Sequence, residues 1–147
     1  MKKLLALGAV IVAVAGISGA VAAASSQHGG QLHVTKECTA YSGLADSYCT
    51  ITSSSIPSIT KDSRVVYLQA AGPTSLDSDI VLVVGPGNYA LGHVKLDLTT
   101  GRGEVTLSGG AGQFASFHAK ARVTPPGGAN GPDWAWDGKY SLGGHGD

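Results

Sequence analysis

The amino-acid sequence predicts an all-β fold: an antiparallel, up-and-down barrel of about eight strands behind an N-terminal export signal. Three observations predict it. The 147 residues include 22 glycines, and these punctuate short runs in which Val, Ile, Thr, Tyr and Ser prevail, a composition that favours strands and turns over helix. Many of the runs alternate apolar and polar residues, so that successive side chains fall on opposite faces of a strand. One stretch, Gly92 to Phe114, holds two alternating runs around Thr99-Thr100-Gly101-Arg102 and ends in Gly109-Gly110-Ala111-Gly112. It reads as a β-hairpin followed by a sharp corner.

Residues 1–24 are expected to be a cleaved signal peptide. Met1-Lys2-Lys3 is a cationic start, Leu4 to Val21 is apolar or small, and Ala22-Ala23-Ala24 fits the small-x-small cleavage pattern. The alternative is a retained anchor, because about 18 apolar residues is the lower limit for spanning a bilayer. Residues 25–147 then form one domain, with its core over 31–142. The protein is expected outside the cytoplasm, periplasmic or extracellular, with no stable membrane span after cleavage. In that setting Cys38 and Cys49, the two cysteines, are expected to form one disulfide. Closing so short a loop contributes roughly 3 kcal/mol.

Along the chain, Ser25 to Gly30 reads as a loose tail and Leu32 to Cys38 as a first strand, with Leu32 and Val34 opposite His33 and Thr35. Tyr48 to Ser53 is a second strand with Cys49 and Ile51 on one face. Ser54 to Asp62 is broken by Pro57 and reads as a covering loop or an edge. Arg64 to Ala71 is a third strand. Asp79 to Val84 is a fourth, and Ile80-Val81-Leu82-Val83-Val84 demands cover on both faces. Tyr89 to Leu98 and Gly103 to Ser108 make the hairpin. Ala115 to Thr124 follows, then a Gly/Pro loop, then Trp134 to Leu142 with Trp134, Trp136, Tyr140 and Leu142 on one face. Closing such a meander removes the exposed edges that an open sheet would have to protect.

Charge fixes the hairpin's register. Pairing Leu98 with Gly101 sets Asp97 against Arg102, Lys95 against Glu104 and Val94 against Val105, whereas a shift of two sets Asp97 against Glu104 and is disfavoured. Val94, Leu96, Leu98, Val105 and Leu107 then face inward, and His93, Lys95, Asp97, Glu104 and Thr106 outward.

The run Gly103 to Phe114 resembles the glycine-corner signature of the allene oxide cyclase barrel-like superfamily, which also contains the plant dirigent proteins. The resemblance extends loosely over Tyr48 to Leu142 and is sharpest at that corner and at Trp136-Asp137-Gly138-Lys139-Tyr140. Within the superfamily the chain is most similar to small exported bacterial proteins with no assigned activity. The resemblance implies an eight-stranded barrel with an apolar cavity, which in the plant enzymes guides cyclisation or coupling by shape. Ala111 stands in place of the usual Thr, Ser116-Phe117 follows where another Gly is common, and no catalytic carboxylate or tyrosine carries over by motif. Fold transfers more readily than activity.

The residues expected to line a lumen or touch a ligand are Tyr67, Asp79, Leu82, Leu96, Trp134, Trp136 and Tyr140, with Val66, Leu68 and Ile80 beside them. Trp134, Trp136 and Tyr140 would stack on an aromatic ligand or else plug the core. Asp79 would be a buried carboxylate at a cavity mouth or else a turn cap. His93 and His118 would share a metal or act as acid and base, but a solvated outer wall is the plainer reading. Neither a metal nor a cofactor is expected. The sequence has no basic cluster for nucleic acid, no nucleophile elbow, and no Lys-Ser/Thr after Gly109-Gly110-Ala111-Gly112 to make a phosphate loop. The leading expectation is a barrel binding a small apolar or aromatic molecule. Behind it come a filled structural or surface-interaction module and a cyclase- or isomerase-like enzyme.

Overall fold

Residues 28–143 are described by a computed structural model, and the expected signal segment 1–24 lies outside them. Eight strands follow one another: β1 (His28–Glu37), β2 (Tyr48–Ser54), β3 (Arg64–Tyr67), β4 (Ser75–Gly85), β5 (Asn88–Asp97), β6 (Arg102–Ala111), β7 (Phe117–Thr124) and β8 (Trp134–Leu142). Each pairs antiparallel with its neighbours in sequence, and β8 pairs with β1, so the barrel is closed. Every connection is local and, among the described residues, no strand is left as an edge.

The hairpin has the register its charges and apolar faces require. Asp97 pairs with Arg102, Lys95 with Glu104 and Val94 with Val105. Val94, Val105 and Leu107 are buried, and Leu98, at the barrel rim, lines the opening there and is 37% exposed. The side-chain electrostatics follow the register less closely. Glu104 meets Lys120 of β7 at 3.4 Å, and the Asp97 carboxylate accepts from Thr99 N at 2.8 Å and Thr99 Oγ1 at 2.6 Å. Those Thr99 bonds hold the Asp97 carboxyl below its usual pKa. Two glycines make the hairpin possible. Gly101 turns at φ +69°, and a Cβ there would lie 2.7 Å from Pro125, while one on Gly103 would lie 2.0 Å from the Lys95 carbonyl oxygen.

Three expectations about elements need correction. His28 to Gly30 is strand, because it pairs with Tyr140 to Leu142 and completes the closure. The third strand stops at Tyr67 instead of Ala71. There the buried Ser78 hydroxyl accepts from Gln69 N at 3.1 Å, and the Gln69 side chain accepts from Asp79 N at 2.5 Å, replacing the regular ladder. β6 runs through Gly109 and Gly110 to Ala111, with a bulge opposite Leu91, and the corner falls at the 3₁₀ turn Gly112–Phe114.

The core fills the barrel from one side. Leu32, Val34, Ile51, Val65, Ile80, Leu82, Val94, Val105 and Trp136 line the interior. At the end where β2 meets β3 and β6 meets β7, the connecting segments add Ile56, Ile59 and Phe114. Phe114 packs edge-on against Phe117, with centroids 5.3 Å apart, and Tyr140 stacks on Phe117 at 6.0 Å. That end is plugged by apolar side chains.

Candidate functional site

The opposite end is formed by the last residues of β1, β3, β5 and β7 and the first of β2, β4, β6 and β8. Alternation on β1 continues past Leu32 and Val34, so Lys36 faces the same interior. It is 4% exposed. Its Nζ donates to the Tyr67 hydroxyl oxygen at 2.5 Å. The ammonium also stands over two aromatic rings, 4.8 Å from the centroid of Trp136 and 5.2 Å from that of Tyr67. No carboxylate pairs with it among the described residues. Two ring faces and one hydroxyl offset only part of the lost hydration, so burial pushes the Lys36 pKa down to about 7.

Above Lys36 lies a cavity of about 60 Å³. Its walls are the Cys38–Cys49 disulfide, the rings of Tyr41, Tyr67 and Trp134, and the side chains of Leu76, Leu96 and Leu98. Tyr41 enters from the β1–β2 connection. The disulfide ties that connection down, and backbone bonds from Asp46 N to Tyr67 O at 2.7 Å, and from Tyr67 N to Ser47 O at 3.0 Å, pin it to β3. The Tyr41 ring sits 4.9 Å from that of Tyr67. Its buried hydroxyl has no hydrogen-bond partner among the described residues, an unspent donor in a place where such groups are normally satisfied. Burial raises the pKa of both phenols, and for Tyr67 the neighbouring Tyr41 adds to the effect. Both therefore keep their protons at neutral pH. The opening thus presents one amine and two neutral hydroxyls within otherwise apolar walls.

Three of the seven expected ligand residues meet here: Tyr67, Leu96 and Trp134. Trp136 lies directly beneath, fully buried, as the floor under Lys36. Leu82 is packed deep in the core, and Tyr140 belongs to the plugged end. Asp79 is on the outer wall, which corrects the expectation of a lumen carboxylate. Ile80 and Leu82 face inward, so strand alternation turns Asp79 out, where it accepts from His93 Nδ1 at 2.8 Å. Val66 and Leu68 are also on the outward face of their segment, Leu68 at 39% exposure, because Val65 and Tyr67 take the interior.

The histidines do not form a site together. His93 is on β5 and His118 on β7, with β6 between them. His93 is held between Asp79 and Asp77, the latter at 2.5 Å from Nε2, and the bond to Asp79 raises its pKa. His118 lies 3.3 Å from Ser108 Oγ, and His33 pairs with Asp137 on the same outer wall. Among the described residues no group of three or more His, Cys, Asp or Glu side chains is arranged to hold a metal ion.

No family model, curated protein or solved structure matches the chain. The chemistry of the mouth is therefore read from its own residues. A wider hollow of about 620 Å³ runs along the outside of the β4–β5 ends over Thr74, Asp77, Lys95 and Thr99. It holds no buried polar group, and the cavity over Lys36 is the better site. Lys36 and Tyr41 were the residues missed by sequence reading. A charged residue on a strand is ordinarily assigned to solvent, although the spacing Leu32-Val34-Lys36 already aligned this one with the core.

Proposed function

We propose that this protein is an exported barrel that binds a small apolar or aromatic molecule at one end, through an oxygen acceptor seated against Lys36. The observation that carries this reading is a buried lysine and a Tyr41 hydroxyl with no partner among the described residues, their side chains lining the same apolar cavity. A cavity of about 60 Å³ takes a polar group and a few carbons, leaving the rest of the ligand to lie across Trp134 and Leu98. Cyclisation or coupling of a larger substrate draws little support, since pockets for drug-sized molecules occupy roughly 300 Å³ or more.

Export is supported by the cationic and then apolar start of the chain and by the disulfide. The described residues contain no helix long and apolar enough to cross a membrane. The charged outer face and apolar interior are the reverse of a lipid-facing barrel. A closed eight-stranded meander is what the resemblance to the allene oxide cyclase barrel-like superfamily implies. A second reading, a filled structural module, is favoured by the plugged end, where Phe114 and Phe117 are fully buried.

Benzamide separates the two readings, because its carbonyl accepts hydrogen bonds without condensing with amines. Titrated into isotopically labelled protein, it is expected to shift the Trp134 indole and the Leu76, Leu96 and Leu98 methyl resonances saturably. Shifts scattered over the outer wall, or none, would leave the filled module.

A further inference from the structure

We infer that Lys36 captures aldehydes: the mouth admits a small aldehyde, and Nζ condenses with it to form an imine. The inference rests on the mouth being a small-molecule site and assigns its substrate class. Three geometric facts carry it. Lys36 lines the cavity instead of lying behind it. Among the described residues its single hydrogen bond is to a hydroxyl, and no carboxylate is placed to hold it as an ammonium. The groups that could exchange a proton with it are Tyr41 from the β1–β2 connection and Tyr67 from β3; β4, β5 and β8 contribute only leucines and tryptophans to this opening.

The chemistry balances without a further reagent. The Nζ lone pair attacks the aldehyde carbon, forming the C–N bond as the C=O π bond opens onto oxygen; the oxygen takes up one proton and Nζ gives one up, leaving a neutral carbinolamine. A second proton goes onto that hydroxyl, the nitrogen lone pair expels it as water to form the C=N bond, and loss of the remaining N–H proton gives the neutral imine, so that no net proton is consumed. Tyr67, a neutral phenol 2.5 Å from Nζ, is placed to pass protons at both stages. An amine of pKa about 7 is half uncharged at neutral pH, whereas an ordinary lysine near 10.4 is almost entirely protonated. Desolvation of this kind is an established way to activate a lysine nucleophile. The apolar walls also keep bulk water from reversing the condensation.

The test uses the disulfide-intact protein with propanal or benzaldehyde and cyanoborohydride at pH 7, followed by peptide mapping. Lys36 is expected to carry the alkyl group about tenfold or more over Lys61, Lys95, Lys120 and Lys139, with the α-amino group as the other site of low pKa. Labelling of Lys36 should fall as pH drops below 7, and Lys36→Met should abolish only that adduct. Wild-type protein in which Lys36 is labelled no faster than the exposed lysines would overturn the inference. If benzamide shifts the mouth resonances but neither aldehyde labels Lys36, condensation is wrong and binding stands. If benzamide also fails, the binding site itself is wrong.

Discussion

At one end of the barrel Ile56, Ile59, Phe114 and Phe117 close the interior with apolar side chains. At the other, a lysine, two tyrosines and a disulfide surround a cavity. Both ends are made by the same β-meander, and each strand contributes to both, so the difference lies in which residue types occupy equivalent inward positions. The plugged end gains stability from packing and shape. The open end gives some of that up: a lysine occupies a place where Leu or Met would be favourable, and the Tyr41 hydroxyl has no partner among the described residues. Arrangements that cost stability in this way cluster at functional sites, and this contrast points to the Lys36 end as the working end.

The contrast can be broken most forcefully from the plugged side. Phe117→Ala removes a ring packed against both Phe114 and Tyr140 and should cost about 3–5 kcal/mol in denaturant unfolding. Any folded fraction should label Lys36 as wild type does. Replacing Cys38 and Cys49 by Ala should cost roughly 3 kcal/mol, and here the mouth should suffer too, since both cysteines line it. The two variants thus separate stability from site integrity.

Lys36→Met should act in the opposite direction. It removes a buried charge but strands the Tyr67 hydroxyl, for a net gain of about 1–3 kcal/mol at pH 6–7. The advantage should shrink with rising pH. The Lys36 pKa is lower folded than unfolded, so from about 7 to about 10.4 the unfolded chain holds the extra proton. Wild-type stability must therefore rise relative to the variant across that window, by at most about 1.4 kcal/mol per pH unit. Urea melts of both proteins from pH 6 to 9 measure this. Parallel curves would mean that Lys36 keeps its charge in the fold.

The smallest effect belongs to the outer wall. His93 has a raised pKa from Asp79 and Asp77, so its contribution is complete below pH 6.5 and is lost as pH rises through the raised value. Its side chain is more than a third exposed, and His93→Gln should cost only a few tenths of a kcal/mol at pH 6. Melts of the variant at pH 5.5 and 8.5 should show that loss only at the lower pH.

The two regions were also unequally legible. The β5–β6 hairpin could be aligned residue by residue, because Lys95 with Glu104, Asp97 with Arg102 and the Val94–Val105 pair all demand one register. The disulfide followed from two cysteines and an expected export signal. Asp79 was misplaced by weighing its chemistry above its parity with Ile80 and Leu82. Lys36 is the converse: parity put it inside, and its charge argued for solvent. What resolves that conflict is Tyr67, 31 residues away in sequence, together with the Trp136 and Tyr67 ring faces. Such partners are brought together only by barrel closure, and no local pattern announces them.

The central claim is that Lys36 is an amine held without a counter-charge at the working end. Its most direct test is a ¹³C titration of the lysine Cε resonances from pH 5 to 9 in disulfide-intact protein. One resonance should titrate near pH 7, be missing from Lys36→Met, and shift when benzamide is added. If no lysine resonance that disappears in Lys36→Met titrates below pH 9, Lys36 is an ordinary cation and the account is contradicted.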